Sequence, residues 1–201
     1  MPTDYRPFDL GELSNAAMTD VWHDDRVIET HAGKLLVATP LLMDPHFWRT
    51  VIFMLQHDDE GTVGLVLNRP TPELVVDHLP EWFAESNEPQ RVFYGGPVEP
   101  EMAIALGPGG GGDPTPLPGV TLVDLSTNPP GDPSRIRIYS GYAGWGAGQL
   151  EAEIAAGSWY LVQAAPDDPF DRPDGQWARV LRRQNGYLSL VSTFPDDVAL
   201  N

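Results

Sequence analysis

The segment HDDE (57–60) is the first place where residue types and spacing suggest chemistry. An imidazole beside carboxylates can transfer protons or contribute ligands to a metal ion. Consecutive side chains in a tight connection point in different directions, however, and cannot converge on one ion. Turn formation accounts for these acids, because aspartate favours tight connections. We interpret the segment as a turn, and because the remaining histidines are scattered, the sequence indicates no metal site and no cofactor.

A second candidate is the pair Asn68-Arg69, which stands before Pro70 at the end of a predicted central strand. Arginine offers a rigid fork of donors to a carboxylate or phosphate, and asparagine can bind an amide or a hydroxyl. The alternative is structural: asparagine ends the strand, arginine pairs with an acid, and proline stops the ladder. The pair is therefore either part of an anion site or a strand end.

Two glycine-rich segments could present backbone N–H groups to an anion, because glycine turns before a helix leave such donors exposed. The candidate ligand-binding residues in them are Gly95, Gly96, Gly141, Tyr142, Trp145 and, one turn further on, Gln149. Neither segment has the spacing of a phosphate-binding P-loop or of a dinucleotide fingerprint. The alternative is that the two aromatic rings are core residues and need small neighbours to pack.

Two further motifs carry no catalytic assignment. Ser140 precedes a glycine as in a nucleophile turn, but Ile138 occupies the position of the first glycine in that motif. The only basic cluster, Arg179, Arg182 and Arg183, is typical of a solvated, ion-paired helix face. The sequence thus predicts no catalytic residue.

Charge is the strongest compositional signal, with 12 Lys and Arg against 29 Asp and Glu in 201 residues, a net charge of −17. Because phosphate backbones are bound mainly by basic side chains, this charge disfavours direct nucleic-acid binding and binding to anionic membranes. The chain has no cysteine, no apolar run long enough to span a bilayer and no signal-peptide pattern. These features predict a cytoplasmic protein and leave its oligomeric state open.

Hydrophobic periodicity predicts the elements that position these residues. We expect a polar extension over 1–32 with a short helix near 10–18, and one domain over 33–201 that contains a flexible Gly/Pro-rich loop at 107–119. Strands are predicted at 34–39, 158–165 and 186–191, a hairpin over 50–68, and helices over 147–156, 174–185 and, in pieces, 71–85. The mixed order of these elements favours an α+β fold.

Four blocks carry a resemblance to a known family: DPHFWRTVIFMLQHDDEGTVGLVLNRP (44–70), VFYGGPV (92–98), YAGWGAGQLEAEI (142–154) and STFPDDVALN (192–201). In these blocks the chain resembles the YqgE/AlgH family. The resemblance implies a mixed sheet that curls into a partial barrel with helices packed outside. Some members carry a label as transcriptional regulators of polysaccharide synthesis, and the family has no agreed biochemical activity.

Three functions follow as hypotheses. The first is a non-enzymatic regulatory or protein-interaction protein, because no acid, base and nucleophile converge in the sequence. The second is a small-molecule binder or enzyme with an anion pocket at Asn68, Arg69 and the two glycine segments, which requires those segments to meet in space. The third, direct DNA binding, rests on the regulator label alone and is disfavoured by the charge.

Overall fold

A computed structural model of the protein describes residues 30–110, 112–129 and 135–195. Within these residues the strands are β1 Lys34–Ala38, β2 Val51–His57, β3 Gly61–Val66, β4 Pro70–Leu74, β5 Arg91–Tyr94, β6 Val98–Pro108, β7 Asp113–Pro114, β8 Val120–Val123, β9 Arg137–Gly146 and β10 Trp159–Gln163. The helices are α1 Val75–His78, α2 Gln149–Ala155, α3 Gln176–Arg182 and α4 Tyr187–Val191, with 3₁₀ turns at Pro80–Trp82 and Asp168–Phe170.

The strands form one mixed sheet, which confirms the predicted α+β class. Its main path runs β10-β1-β2-β3-β9-β6-β8-β7, and this path curls into a half-barrel. Most neighbours are antiparallel, but β5 runs parallel to β9, with Phe93 opposite Tyr139. Strand β9 is the junction of the sheet, because it pairs with β3, β5 and β6.

Both faces of the central strands are buried, as the apolar sequences of β1 and β2 require. Along β1, Leu35 and Val37 enter one core cluster, whereas Leu36 and Ala38 enter a second cluster on the opposite face. Helices α3 and α4 cover the first face, and α2 covers the second through Leu150. The alternating side-chain directions of a strand therefore fix which helix packs against which face.

The predicted hairpin over 50–68 is confirmed. Strands β2 and β3 pair antiparallel from Ile52 opposite Val66 to His57 opposite Thr62, with a bulge between Met54 and Gln56. The predicted helix over 147–156 is also confirmed as α2, which ends at Ala155, and Gly157 two residues later has φ of 80°, which suits glycine. The strand predicted at 34–39 is β1, and that predicted at 158–165 is β10.

Two predictions of local structure are wrong. Residues 141–146 are not a turn before a helix but the second half of β9. Residues 186–191 are not a strand: Tyr187–Val191 is helix α4. In a segment this short, Leu188 and Leu190, at i and i+2, fit strand alternation, whereas Leu188 and Val191, at i and i+3, fit one helix face. Leu188 and Val191 pack into the first core cluster together with α3, whereas Tyr187 and Leu190 face outward.

The glycine- and proline-rich segment 107–119 is only partly a loop, because β6 extends through Pro108 and Asp113–Pro114 pairs with β8 as β7. Residues 71–85 contain less helix than predicted, since Pro70–Leu74 is an edge strand that tolerates its two prolines. The helix predicted near 10–18, and most of the extension over 1–32, lie outside the described residues.

Candidate functional site

The three predicted site segments meet beside the middle of β9, as the binding hypothesis requires. The Tyr94 N–H donates to the Arg69 carbonyl at 2.8 Å. The next residue, Gly95, donates its N–H to the Ser140 carbonyl at 2.9 Å, and its own carbonyl accepts from Val66 at 2.8 Å. The ends of β3, β5 and the middle of β9 are thus in direct backbone contact.

The Asn68 side chain is buried and engaged on both sides. Its Nδ2 donates to the Arg49 carbonyl at 2.8 Å, and its Oδ1 accepts from the Val51 N–H at 3.1 Å. An amide in this position closes the start of β2 against the end of β3. These contacts support the structural interpretation of Asn68, and its predicted ligand-binding role stays a prediction.

Arg69 is half-buried and donates through Nη2 to the Trp48 carbonyl. Burial lowers the pKa of its guanidinium below the ordinary arginine value. The side chain therefore ties the end of β3 to the loop between β1 and β2. An anion bound by Arg69 would either share the guanidinium with the Trp48 carbonyl or displace that carbonyl from it.

The glycines of the predicted anion site allow backbones to approach closely. A Cβ on Gly95 would lie 2.1 Å from the Gly141 carbonyl oxygen, and one on Gly96 would lie 2.1 Å from the Tyr142 carbonyl carbon. Gly141 itself has φ of 67°. Because any side chain would collide with β9, the glycine composition here is explained by strand packing.

The three remaining predicted site residues lie along β9 and at the start of α2. Trp145 is buried in the second core cluster and donates from Nε1 to Glu153 at 3.0 Å. Gln149 accepts from the Gly146 N–H at 3.1 Å and donates to Glu153 at 3.0 Å. Tyr142 is half-buried on the other face of β9, where it packs against the first core cluster. The core-packing interpretation thus describes Trp145 better than it describes Tyr142.

The HDDE segment forms the connection between β2 and β3. Asp58 Oδ1 accepts from the N–H groups of Glu60 at 2.9 Å and Gly61 at 3.1 Å, which is the turn chemistry predicted. Partial burial alone would raise the pKa of Asp58, but the Gln56 amide and these two N–H groups hold it below its ordinary value. Asp58 is therefore an ionised carboxylate in a fixed position.

The structure also pairs histidines that are distant in sequence. His57 stacks on His31 with ring centroids 4.7 Å apart, and its Nε2 lies 3.4 Å from Glu151 Oε1. His46 Nδ1 lies 3.0 Å from the Tyr94 hydroxyl. Burial and the charge of Asp44 raise the pKa of Tyr94. Sequence spacing gives no signal for either pair, because both depend on the folding of loops onto strands.

An open groove of about 310 Å³ lies beside the β2–β3 connection, and sequence reasoning did not identify it. Its lining residues come from four strands and one turn: Gln56, Asp58, Glu60, Gly61, Thr62, Val63, Val98, Tyr142, Gly144 and Trp145. Of the residues predicted for a ligand site, it contains Tyr142 and Trp145 but neither Asn68 nor Arg69. The groove is lined by two carboxylates and no basic side chain.

The comparisons with known proteins agree with this architecture. The family profile described as AlgH-like matches residues 35–189, which is most of the chain. The chain belongs to the AlgH-like family. A UPF0301 protein of Streptomyces coelicolor is 47% identical over 189 residues, an alignment that covers 87% of this chain and 97% of the relative. A UPF0301 protein of Mycobacterium tuberculosis is 40% identical over 182 residues, covering 85% and 90%.

Two solved structures share the AlgH-like fold. The crystal structure of a Corynebacterium diphtheriae protein matches with a TM-score of 0.75 and 28% identity, covering 88% of this chain and 97% of that one. The solution structure of the AlgH protein from Pseudomonas aeruginosa matches with a TM-score of 0.62 and 26% identity, covering 87% and 100%. The AlgH-like family is uncharacterised and has no specific function established.

Further features of this AlgH-like chain bear on the sequence predictions. The predicted basic cluster is partly ion-paired, since Arg179 contacts Asp171 at 2.8 Å and Arg183 contacts Asp168. The Ser140 hydroxyl donates to the Pro100 carbonyl. Across residues 30–110, 112–129 and 135–195, no group of three or more acidic or histidine side chains could hold a metal ion. No helix in these ranges is long and apolar enough to cross a membrane.

Proposed function

We propose that this chain is a non-enzymatic, cytoplasmic regulatory protein that contacts a protein partner through the loop between β1 and β2. The observation that carries the proposal is the exposure of two large apolar side chains on that loop, Leu41 at 81% and Met43 at 65%. Exposed apolar side chains that lie close together are typical of interaction surfaces, because water leaves them when a partner binds.

The loop is anchored, so it can present these side chains in a defined position. Between Leu41 and Met43, Leu42 turns inward against the second core cluster, where Phe47 also packs. The Leu42 N–H donates to the Thr39 carbonyl at 3.1 Å, and the Phe47 N–H donates to the Asp44 carbonyl at 3.0 Å. An ordered loop loses little entropy on binding, which favours recognition by a partner.

Charge supports a protein partner over nucleic acid. A chain of net charge −17 repels phosphate backbones and anionic lipid surfaces. A partner with a basic surface around an apolar centre would be attracted over a longer range and guided to the loop. The regulatory role that we propose is that this contact covers a surface of the partner and thereby changes the partner's activity.

The non-enzymatic assignment is supported by how the candidate polar groups are used. Asn68 bonds to the backbone of Arg49 and Val51, Arg69 bonds to Trp48, and the Ser140 hydroxyl bonds to Pro100. These side chains hold loops and strands together, so they are not poised over an open pocket. Specific turnover of a defined substrate by the purified protein would overturn this part of the proposal.

The test compares two double variants that remove equally exposed apolar pairs. Leu41→Ser with Met43→Ser removes the proposed contact, whereas Tyr187→Ser with Leu190→Ser removes a pair of 69% and 72% exposure on α4. Each form is used for affinity capture, and the captured protein is then purified and titrated by calorimetry. We expect binding by the wild type and the α4 variant, and at least about a tenfold loss in the loop variant, since each buried side chain contributes about 1.5–3 kcal/mol.

Two results would contradict the proposal. The first is equal binding by both variants, which would place the contact elsewhere. The second is a thermal-shift response to an anionic metabolite that disappears in Arg69→Ala, because this would favour the predicted anion site at Asn68 and Arg69. A saturating ligand at 100 times its dissociation constant adds about 2.7 kcal/mol and is readily detected.

A further inference from the structure

We propose that the groove beside the β2–β3 connection receives a lysine or arginine side chain of the protein partner. This inference rests on the proposed function for the class of partner, but it uses a different surface from the Leu41 and Met43 loop. It also reverses the sign of ligand charge expected from the sequence, where Arg69 and the glycine segments suggested an anion.

The floor of the groove is a row across three strands. Gln56 of β2 is opposite Val63 of β3, and Val63 is opposite Gly144 of β9. Gly144 leaves the centre of this row open: the atoms nearest to a Cβ there would belong to the Tyr142 ring and to Val98, both at 3.6 Å, which is ordinary contact distance. A volume of about 310 Å³ is at the small end of ligand pockets and suits a single side chain.

The wall formed by Tyr142 is aromatic and stays neutral. Burial and the neighbouring Glu99 carboxylate, to which the phenol donates a hydrogen bond, raise the pKa of Tyr142. Half-burial of the side chain fixes the ring at the edge of the groove while part of it remains accessible. The negative face of such a ring attracts ammonium and guanidinium groups, the more so when Glu99 adds negative charge beside it.

The lining also contains carboxylates. Asp58 is held in place by the Gln56 amide at 2.6 Å and by the N–H groups of the turn, and Glu60 is exposed beside it. A carboxylate has about four acceptor positions, so Asp58 can still accept from a cation after these bonds. Because the lining contains two acids, two aromatic residues and no lysine or arginine, it favours a cation over an anion or a purely apolar group.

The experiment uses a defined probe. An acetylated and amidated peptide, Ala-Gly-Arg-Gly-Ala, is titrated into ¹⁵N-labelled protein, and the matched peptide has citrulline, a neutral isostere, in place of arginine. We expect the amide signals of Val63, Gly144 and Gly61 to shift with the arginine peptide, and the shift to weaken with added salt. Equal shifts with the citrulline peptide, or shifts that avoid the groove, would overturn the proposal.

Variants test the acidic lining and the floor of the groove. We expect Gly144→Leu to abolish the titration by filling the floor, and the dispersion of the remaining signals verifies that the variant is folded. Glu60→Gln should weaken binding about two- to fivefold, as expected for one partly solvated charge pair. Glu81→Gln removes an exposed acid outside the groove and is the matched control. If Glu60→Gln and Glu81→Gln weaken peptide binding equally, the effect comes from the net charge of the protein, and the proposed groove site is contradicted.

Two further arms separate the possible outcomes. Spermidine carries the same cationic chemistry without a peptide, so groove shifts with spermidine and none with the arginine peptide would overturn a protein side chain as the occupant. The Leu41→Ser, Met43→Ser variant should bind the arginine peptide as the wild type does. If the peptide does not bind but the partner still requires the Leu41 and Met43 loop, this inference alone is rejected. If the peptide binds in the groove but the partner does not require the loop, the proposed loop contact alone is rejected.

Discussion

The side-chain amide of Asn68 bonds to the backbone on both sides of Thr50, with Nδ2 2.8 Å from the Arg49 carbonyl and Oδ1 3.1 Å from the Val51 nitrogen. Arg49 has φ of 57°, so the chain bends sharply as it enters β2. One buried amide therefore fixes both the bend and the closing end of the β2–β3 hairpin.

We expect Asn68→Ala to lower the free energy of unfolding by about 2–4 kcal/mol, because it leaves a buried carbonyl and a buried N–H without partners. Urea denaturation of both proteins measures the difference. Gln163→Ala removes an exposed amide at the end of β10 and should stay within about 0.5 kcal/mol of the wild type. Similar stabilities for Asn68→Ala and Gln163→Ala would contradict the role assigned to Asn68.

Gly95→Ala should destabilise the protein by about 1–3 kcal/mol, because its Cβ would lie 2.1 Å from the Gly141 carbonyl oxygen and the two strands would separate. Gly146→Ala is the matched control, since a Cβ at Gly146 meets no atom within 4 Å. Thermal unfolding compares the two variants. If both variants have the melting temperature of the wild type, the close approach of β5 and β9 does not require glycine.

Glu153 joins α2 to the sheet, because one carboxylate oxygen accepts from Trp145 Nε1 at 3.0 Å and from Trp159 Nε1 at 2.8 Å. We expect Glu153→Ala to cost about 1–3 kcal/mol, since two indole donors lose their partner. Combination with Trp159→Phe in a double-mutant cycle should give a coupling energy of about 0.5–3 kcal/mol. Strict additivity of the two substitutions would show that the bond contributes nothing to stability.

The hydrogen bonds to Asp58 predict a dependence of stability on pH. Its pKa is lowered in the folded protein from a reference of 3.8, so ionised Asp58 stabilises the fold at pH values above 3.8. This contribution is lost as the pH falls through the lower folded pKa. Asp58→Asn should therefore be less stable than the wild type at about pH 6, and the gap should close on acidification. A gap that persists unchanged in acid would assign the effect to hydrogen-bond geometry alone.

The sequence predicted the elements whose signals are local. The hairpin over 50–68 has β-branched strands on both sides of an acidic turn, and α2 has Leu150 and Ile154 four residues apart followed by a glycine. The curled mixed sheet was predicted from the resemblance to the YqgE/AlgH family and not from local signals. Helix α4 was mistaken for a strand because its five residues fit either periodicity, and only its packing against α3 selects the helix.

The candidate site was harder to predict because its parts are distant in sequence. The glycines of 141–146 suggested a turn, but they lie in β9, where neighbouring backbones need the space. The residues that line the groove come from the β2–β3 hairpin, β6 and β9, so no single segment of the sequence contains all of them. The sequence predicts that Asn68 and Arg69 form either an anion site or a strand end, whereas their backbone partners at 48–51 depend on the pairing of β2 with β3.

The position of β1 between β2 and β10 has a consequence for synthesis of the chain. About 120 residues separate the end of β1 from the start of β10, so at roughly 5–20 residues per second the ribosome needs about 6 to 24 s to supply the second neighbour. During that interval one edge of β1, including Leu35 and Val37, lacks its native partner. An unpaired apolar edge is prone to associate with other nascent strands, so we expect chains that end before residue 159 to require chaperones to stay unaggregated.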